Sequence, residues 1–295
     1  MKKLNPRFMM MTSMIIFGTL GIFVRNIPVA SGELALYRAV LAAILIGIYL
    51  VITKQKIPFS TIKREVPYLL FSGIAMGINW ILLFEAYRYT TVSVATLSYY
   101  FAPVIVTLVC PFLFREKLTV KQIVCFIMST VGLILITGFG TISGKTDGIG
   151  ILYGLGAAVF YASVVLLNKF IKGVEGIHRT FLQFLSAIVV LIPYVVLTSG
   201  ITLLQMEGKG WSNLLIVGLI HTGVTYCMYF TSLKDLPGQK AAILSYMDPL
   251  VAVFVSVTIL GESMTVFQVI GGMLILGFTF LNEVGWNRKK EDYIT

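Results

Sequence analysis

The sequence predicts an all-α polytopic membrane protein, with ten transmembrane helices arranged as two inverted five-helix repeats. Three observations carry that expectation. The 295-residue chain is 57% hydrophobic but 12% charged. Apolar runs of membrane-spanning length recur from one end to the other. The second half repeats the first at a fixed offset of 146 residues, as between Pro103 and Pro249.

Composition settles the class. A soluble domain carries roughly 25% charged residues, because its surface must face water. A chain with 12% charged residues and a mean hydropathy of +0.91 cannot cover itself with polar side chains. Its exterior must face lipid. The net charge of +10 does not point to nucleic acid, since the basic residues lie between apolar segments, where they orient helices in the bilayer. Cys110, Cys125 and Cys227 all fall inside apolar runs without CxxC spacing, so they read as small buried hydrophobes and imply neither disulfide nor metal site.

A helix needs about 20 apolar residues to cross about 30 Å of hydrocarbon. Ten segments meet that requirement, roughly 8–24, 31–52, 66–86, 93–113, 121–140, 149–168, 178–198, 212–232, 240–260 and 266–283. The first follows Lys2, Lys3 and Arg7 in the manner of a signal peptide, yet no convincing small-residue cleavage site comes after it, and it reads as a retained span. The second opens at Glu33, whose carboxylate suits a helix N-terminus, and contains Arg38, which can snorkel or bond carbonyls. The third holds Gly73-x-x-x-Gly77, a close-packing face, then Asn79 and Trp80, and ends near Glu85, an ion-pair candidate for Arg88. The fourth carries Tyr100 and Pro103, and the fifth starts at a capping box, Thr119 with Gln122. Gly150-x-x-x-Gly154 gives the sixth its own close-packing face, and the seventh begins at His178 and Arg179. His221, Thr225 and Tyr226 lie in the eighth, Tyr246, Asp248 and Pro249 in the ninth, and the tenth opens at a second box, Thr265 with Gln268.

Lysine and arginine set the orientation. With the N-terminus inside, eighteen of the 23 basic residues fall on the inner side and four on the outer, Arg38 being within a span. One span more or fewer would scramble that asymmetry, so ten crossings with both termini cytoplasmic are expected.

The halves, 1–145 and 146–295, hold one register over several features. Tyr100 pairs with Tyr246, Pro103 with Pro249, Glu116 with Glu262, Gly77 with Gly223, Asn79 with Thr225 and Trp80 with Tyr226. Each half has an odd number of spans, so the halves are expected to sit upside down relative to one another, a recurrent construction of secondary transporters with substrate held between the repeats.

The proline and glutamate motifs, with Phe17-Gly18, the stretch Ala95 to Pro103 leading to Glu116, and Ala241 to Pro249 leading to Gly261-Glu262, resemble the EamA-type ten-helix permeases of the drug/metabolite transporter superfamily. The resemblance covers nearly the whole chain in two copies. It implies a permease of the bacterial cytoplasmic membrane, often an exporter of amino acids or related metabolites, with spans 3, 4, 8 and 9, together with 1 and 6, around a central cavity. One departure is that Ala102 precedes the first proline where Asp248 precedes the second. An acidic role there cannot be symmetric.

The site candidates follow from chemistry. Prolines inside spans remove a helical donor and free the carbonyls of Tyr99 and Ser245, which is tolerable beside protein or a watery cavity. Pro103 and Pro249 therefore read either as gating kinks or as static packing kinks. Asp248, a mid-span carboxylate, must face a cavity or partner. It reads as a site for a substrate amine or a coupling proton, or as a local hydrogen bond at the kink. Trp80, Tyr100, Tyr226 and Tyr246 offer apolar faces with polar tips for an apolar solute or a cation, or pack between helices. Asn79 and Thr225 supply hydrogen bonds to substrate or to a neighbouring helix. The expected partners are a small-molecule substrate, membrane lipids, and protons or another coupling ion.

The function expected is secondary transport of a small metabolite by alternating access, with export of amino acids or related amine-bearing solutes foremost. The alternatives are a flippase or a carrier of another class (nucleotide-sugar, drug or lipid-linked) and, further off, a membrane-embedded enzyme. No GxxxxGK[ST], HExxH or GxSxG element occurs, and neither cofactor nor catalytic residue is expected.

Overall fold

The computed structural model describes residues 5–24, 26–55, 57, 63–89, 95, 98–115, 118–137, 145–174, 176–203, 206–260 and 266–284. Within them the regular structure is helical: α1 Pro6–Gly18, α2 Leu20–Val24, α3 Ser31–Ile52, α4 Val66–Tyr89, α5 Ala102–Phe114, α6 Val120–Thr137, α7 Lys145–Phe170, α8 Gly176–Thr198, α9 Gly208–Leu215, a π-helical segment Ile216–Val224, α10 Thr225–Asp235, α11 Gly238–Ser245, α12 Met247–Leu260 and α13 Val266–Val284. Helix lies in every one of the ten expected segments. Among the described residues six stretches are long and apolar enough to cross a membrane: Pro6–Val24, Ser31–Ile52, Val66–Ala86, Gly148–Phe170, Gly176–Thr198 and Gly208–Asp235. Ala102–Phe114, Val120–Leu135 and Val269–Phe278 are shorter apolar helices.

The exterior is apolar, as a lipid-facing surface requires. Phe112, Leu197, Val51 and Leu152 are all largely exposed. The interior is built from small residues. Ala35, Ala39, Ala42, Ala75, Ala158, Ala162, Ala187 and Ala241 line one continuous core with Trp80, Phe184, Tyr229 and Phe230. Without a hydrophobic drive between helices in lipid, close approach has to supply the attraction. Gly73 and Gly77 lie against α8, where an added Cβ at Gly73 would sit 2.4 Å from the Gln183 carbonyl oxygen. Gly218 and Gly223 of the π segment lie in the same way against Leu41 and Leu45 of α3. Gly154 seats α7 on Ser98, and Gly132 seats α6 on the Gly271 carbonyl of α13.

The first capping box forms as expected: Gln122 N–H donates to Thr119 Oγ1 at 3.2 Å, and Thr119 N–H donates to Gln122 Oε1 at 3.0 Å. Glu116, Glu262 and Thr265, and the side chain of Gln268, lie outside the described residues, as do the basic residues Lys2, Lys3 and Arg25 and the tail at Arg288–Lys290.

The carboxylates near the helix ends do more than sequence suggested. Glu33 accepts from Tyr37 of its own helix and from both the backbone N–H and the hydroxyl of Thr202, so it ties the α8–α9 loop to the start of α3. Glu85 pairs with Arg88 at 3.1 Å and also accepts from Tyr194 at 2.8 Å. At the other end Arg179, fully buried, donates to the carbonyls of Ile171, Val174 and Phe230 and to Asn168, closing the C-terminus of α7.

Candidate functional site

Three of the expected spans are broken, and the breaks converge on one seam. Span 1 is interrupted at Thr19, between α1 and α2. The Thr19 hydroxyl donates to the Ile16 carbonyl at 2.7 Å and lies 2.9 Å from His221 Nε2. Span 4 turns at Tyr100 and Phe101, where Phe101 N–H reaches back to Ser98, and α5 restarts with Pro103 in its first turn. Span 9 turns at Tyr246, whose N–H bonds the Ile243 carbonyl at 3.2 Å, and α12 restarts with Asp248 and Pro249 in its first turn. Proline is well tolerated in a first turn, where no helical donor is required. The two prolines therefore sit just after helix breaks, each preceded by an aromatic, rather than inside bent continuous helices.

The break in span 9 sets a carboxylate at a helix N-terminus inside the protein. Tyr100 of the opposite half donates its hydroxyl to Asp248. The helix N-terminus adds its own stabilisation of negative charge. Gly18 lets α1 close over this point, since a Cβ there would meet the Asp248 carbonyl oxygen at 2.7 Å.

A file of aromatic rings leads away from Asp248. Tyr99 stands 5.4 Å from Tyr100 and 5.5 Å from Tyr161, ring centre to ring centre. The Tyr161 and Tyr229 hydroxyls are hydrogen-bonded at 2.9 Å. Tyr229 then meets Tyr226 at 6.2 Å, and Tyr226 meets Trp80 edge-on at 6.1 Å. Phe17 and Phe184 pack on Tyr226 at 4.9 and 5.5 Å. At the far end the Arg38 guanidinium stacks 4.9 Å above the Trp80 ring and donates Nε–H to Thr222 at 3.0 Å. Between the rings, Pro103, Val106, Tyr161, Val165, Tyr229, Ala241, Ala242 and Ser245 enclose a cavity of about 10 Å³. That volume holds about one water, so the seam is closed in this conformation.

The structure thus brings together Trp80 with Tyr226 and Tyr100 with Asp248, and sets Pro103 beside the cavity. The other candidates face elsewhere. Asn79 donates to the Ala157 carbonyl of α7 at 2.7 Å, and Thr225 to its own helix at Ile220, 2.8 Å. Tyr246 is fully buried against α6, bonded to Thr130 at 2.8 Å within a cluster of Leu133 and Ile275. In this conformation these three serve helix contacts.

Other parts of the seam were not foreseen. Tyr161 and Tyr229 have no aromatic partner at the 146-residue offset, where Ile15 and Leu83 stand, so a search by repeat register passes over them. The π-helical stretch around His221 and Thr222 leaves no trace in hydrophobic periodicity. Its widened turns show in side chains that bond five residues back, Thr222 to Val217 at 2.7 Å and His221 to Ile216 at 3.4 Å. Such widened turns occur frequently at functional sites. Among the described residues no cluster of His, Cys, Asp or Glu is arranged to hold a metal.

The EamA-like transporter family model matches residues 6–138 and 148–283. The chain belongs to the EamA-like transporter family. Among relatives of this EamA-like transporter, an uncharacterized transporter, YxxF, of Bacillus subtilis (strain 168) is 32% identical over 268 residues, covering 90% of this chain and 85% of its own length. An uncharacterized transporter of Archaeoglobus fulgidus is 25% identical over 269 residues, covering 90% of this chain and 91% of its own. A solved structure superposes with a TM-score of 0.83 over 96% of this chain and 99% of that one, at 15% identity, which speaks for the fold alone. The EamA-like chain is accordingly an integral membrane transporter and not an enzyme. Its substrate is a small molecule.

Proposed function

We propose that this transporter exports a small amine-bearing solute of the amino-acid kind across the cytoplasmic membrane by alternating access. The proposal has ten spans in two inverted halves with both termini cytoplasmic. The observation that carries it is Asp248: an intramembrane carboxylate at a helix break, bordered by aromatic rings and a closed cavity. A carboxylate there attracts an ammonium, and the rings accept its apolar remainder and attract its charge. Pro103 and Pro249 follow the breaks of spans 4 and 9, so each half supplies a segment free to swing. The halves rock about the seam, opening it to one side and then the other. A proton on Asp248 or another coupling ion drives the cycle.

The pairing of two duplicated halves, on which the inverted arrangement rests, is supported by a repeated contact. Gly77 of span 3 packs on Ala187 of span 7, and Gly223 of span 8 packs on Ala42 of span 2, which is what duplicated halves require. The two separate stretches matched by the family model point the same way. Cysteines placed at Arg115 and Glu262 and labelled from one side test it. The expectation is labelling on opposite faces, and labelling on the same face overturns the arrangement.

The substrate reading is tested by comparing metabolites retained by cells with and without the gene. Accumulation of an amino acid or related amine in the deletion strain is expected, with Asp248→Asn failing to restore export while folding normally. Unchanged amine pools, or full activity of that variant, overturn it.

A further inference from the structure

Arg38 lies deep in the interior, 4% exposed, yet it is not neutralised by the protein. It does not snorkel. It donates Nε–H to the neutral Thr222 hydroxyl, and its flat face lies on Trp80. That leaves the two terminal amino groups of the fork without a carboxylate. Each nearby acid is occupied elsewhere: Glu33 by Tyr37 and Thr202, Glu85 by Arg88 and Tyr194, Asp248 by Tyr100. Among the described residues no acid pairs with Arg38, and the groups within its electrostatic reach are the phenols of Tyr226 and Tyr99 and the imidazole of His221.

A buried cation without a counter-ion is a costly arrangement. An anion that comes and goes is one reason to keep it. The guanidinium fork matches the two oxygens of a carboxylate or the oxygens of a phosphate, and Arg38 is held for such an encounter. Thr222 fixes one edge and Trp80 fixes the plane, with the phenol of Tyr226 within electrostatic reach. The same Tyr226 hydroxyl also lies within electrostatic reach of Asp248. Cationic and anionic groups thus bracket one row of rings.

From this geometry we infer that Arg38 is the anion-binding residue of the transport site, so that the substrate carries both charges, its anionic group at Arg38 and its ammonium at Asp248. This rests on the reading of Asp248 as an ammonium site and narrows it: a simple amine fills half of the seam. The anionic group is a carboxylate in an amino acid or a phosphate in a phosphorylated amine, and the two share the chemistry of the fork.

Binding to the purified protein in detergent tests the inference, because simple amines and acids leak through bilayers. Four probes are compared by ligand-induced thermal stabilisation: leucine, its decarboxylated amine 3-methylbutylamine, its deaminated acid 4-methylpentanoate, and O-phosphoethanolamine. The expected result is that leucine or O-phosphoethanolamine binds at least about tenfold more tightly than either singly charged compound, the better of the two naming the anion. Arg38→Gln removes that advantage but keeps the affinity for 3-methylbutylamine, whereas Arg38→Lys recovers part of it. Equal binding of leucine and 3-methylbutylamine by the unaltered protein overturns the role of Arg38 and leaves the amine reading standing. Equal binding of leucine and 4-methylpentanoate overturns the amine reading and leaves Arg38 standing. Binding of none of the four overturns both. If Arg38→Gln does not fold, the four probes on the unaltered protein decide alone.

Discussion

Adding one methyl group to Gly73 separates two helices that the fold needs in contact. A Cβ at this position would lie 2.4 Å from the Gln183 carbonyl oxygen and 2.5 Å from Ser186 Cβ. Ordinary carbon contacts begin near 3.5 Å, so α8 must retreat by about 1 Å. Overpacking of this kind costs about 1–3 kcal/mol. The retreat also stretches the 2.6 Å hydrogen bond from Gln183 to Ser72, worth about 0.5–1.5 kcal/mol. Against this, alanine gains at most about 1 kcal/mol over glycine in a helix. The net expectation for Gly73→Ala is a loss of about 2 kcal/mol. Gly77→Ala is the control on the same face one turn later. Its Cβ would meet Ala187 O at 3.2 Å and Ala187 Cα at 3.4 Å, a contact relieved by a few tenths of an ångström, so the helix gain cancels the crowding. Gly277→Ala meets nothing within 4 Å and keeps the gain. Unfolding of the purified variants in mixed micelles under a denaturing-detergent titration gives the order Gly277→Ala, then Gly77→Ala level with the parent, then Gly73→Ala. If Gly73→Ala is as stable as Gly77→Ala, the close α4–α8 contact is not a determinant of stability and the packing argument fails.

Arg179→Met leaves the carbonyls of Ile171, Val174 and Phe230 without the donor they now share, at about 1–3 kcal/mol for each group left unsatisfied; size-exclusion chromatography should find little monodisperse protein, with Arg179→Lys intermediate. Glu33→Gln trades a carboxylate for an amide opposite two donors of Thr202, and the expected loss of about 1 kcal/mol should appear as faster hydrogen exchange in residues 199–203 with the rest of the chain unchanged. Thr19→Val removes the 2.9 Å bond to His221 at the break of span 1; a bond of about 1 kcal/mol corresponds to a several-fold change in transport rate, which Thr19→Ser should restore.

The fold was legible because lipid imposes a blunt rule on composition. Segments of about 20 apolar residues and the placement of lysine and arginine were enough to find helix in each expected segment. Capping chemistry was legible too, since Thr119 and Gln122 act within four residues of one another. What sequence left out depends on the third dimension. The prolines announced a disturbance in spans 4 and 9, but not that the helices stop, at Tyr100 and Tyr246, whose hydroxyls find partners in Asp248 and Thr130. Register matching found Trp80 opposite Tyr226 because both copies kept an aromatic there. It missed Tyr161 and Tyr229 because one copy alone has them. Arg38 was visible as a charge inside a span, and what the sequence could not say is that every acid near it would be engaged by someone else. His221 and Thr222 lie in widened turns alongside Gly218 and Gly223, which pack on α3, a contact between residues almost 180 positions apart in the chain.

Tyr100 and Asp248 allow the proposed mechanism to be pressed furthest. A carboxylate inside a membrane helix costs about 2.5–3.5 kcal/mol on insertion scales. A hydrogen bond to a charged acceptor returns about 1.5–3 kcal/mol, and a helix N-terminus returns up to about 2 kcal/mol. Tyr100 and the first turn of α12 thus offset part of the penalty in the closed state. Removing the hydroxyl widens the deficit. Tyr100→Phe should therefore lower the stability of the unliganded protein by about 1.5–3 kcal/mol, while the stabilisation added by a bound amine grows, because the ammonium now restores a donor that the protein no longer supplies. If Tyr100 were instead an ordinary wall of the seam, the variant would lose stability and amine affinity together. Thermal unfolding of both proteins across a concentration series of 3-methylbutylamine separates the two cases: curves that converge as amine is added support an ammonium on Asp248, and curves that stay parallel or diverge remove it from the mechanism.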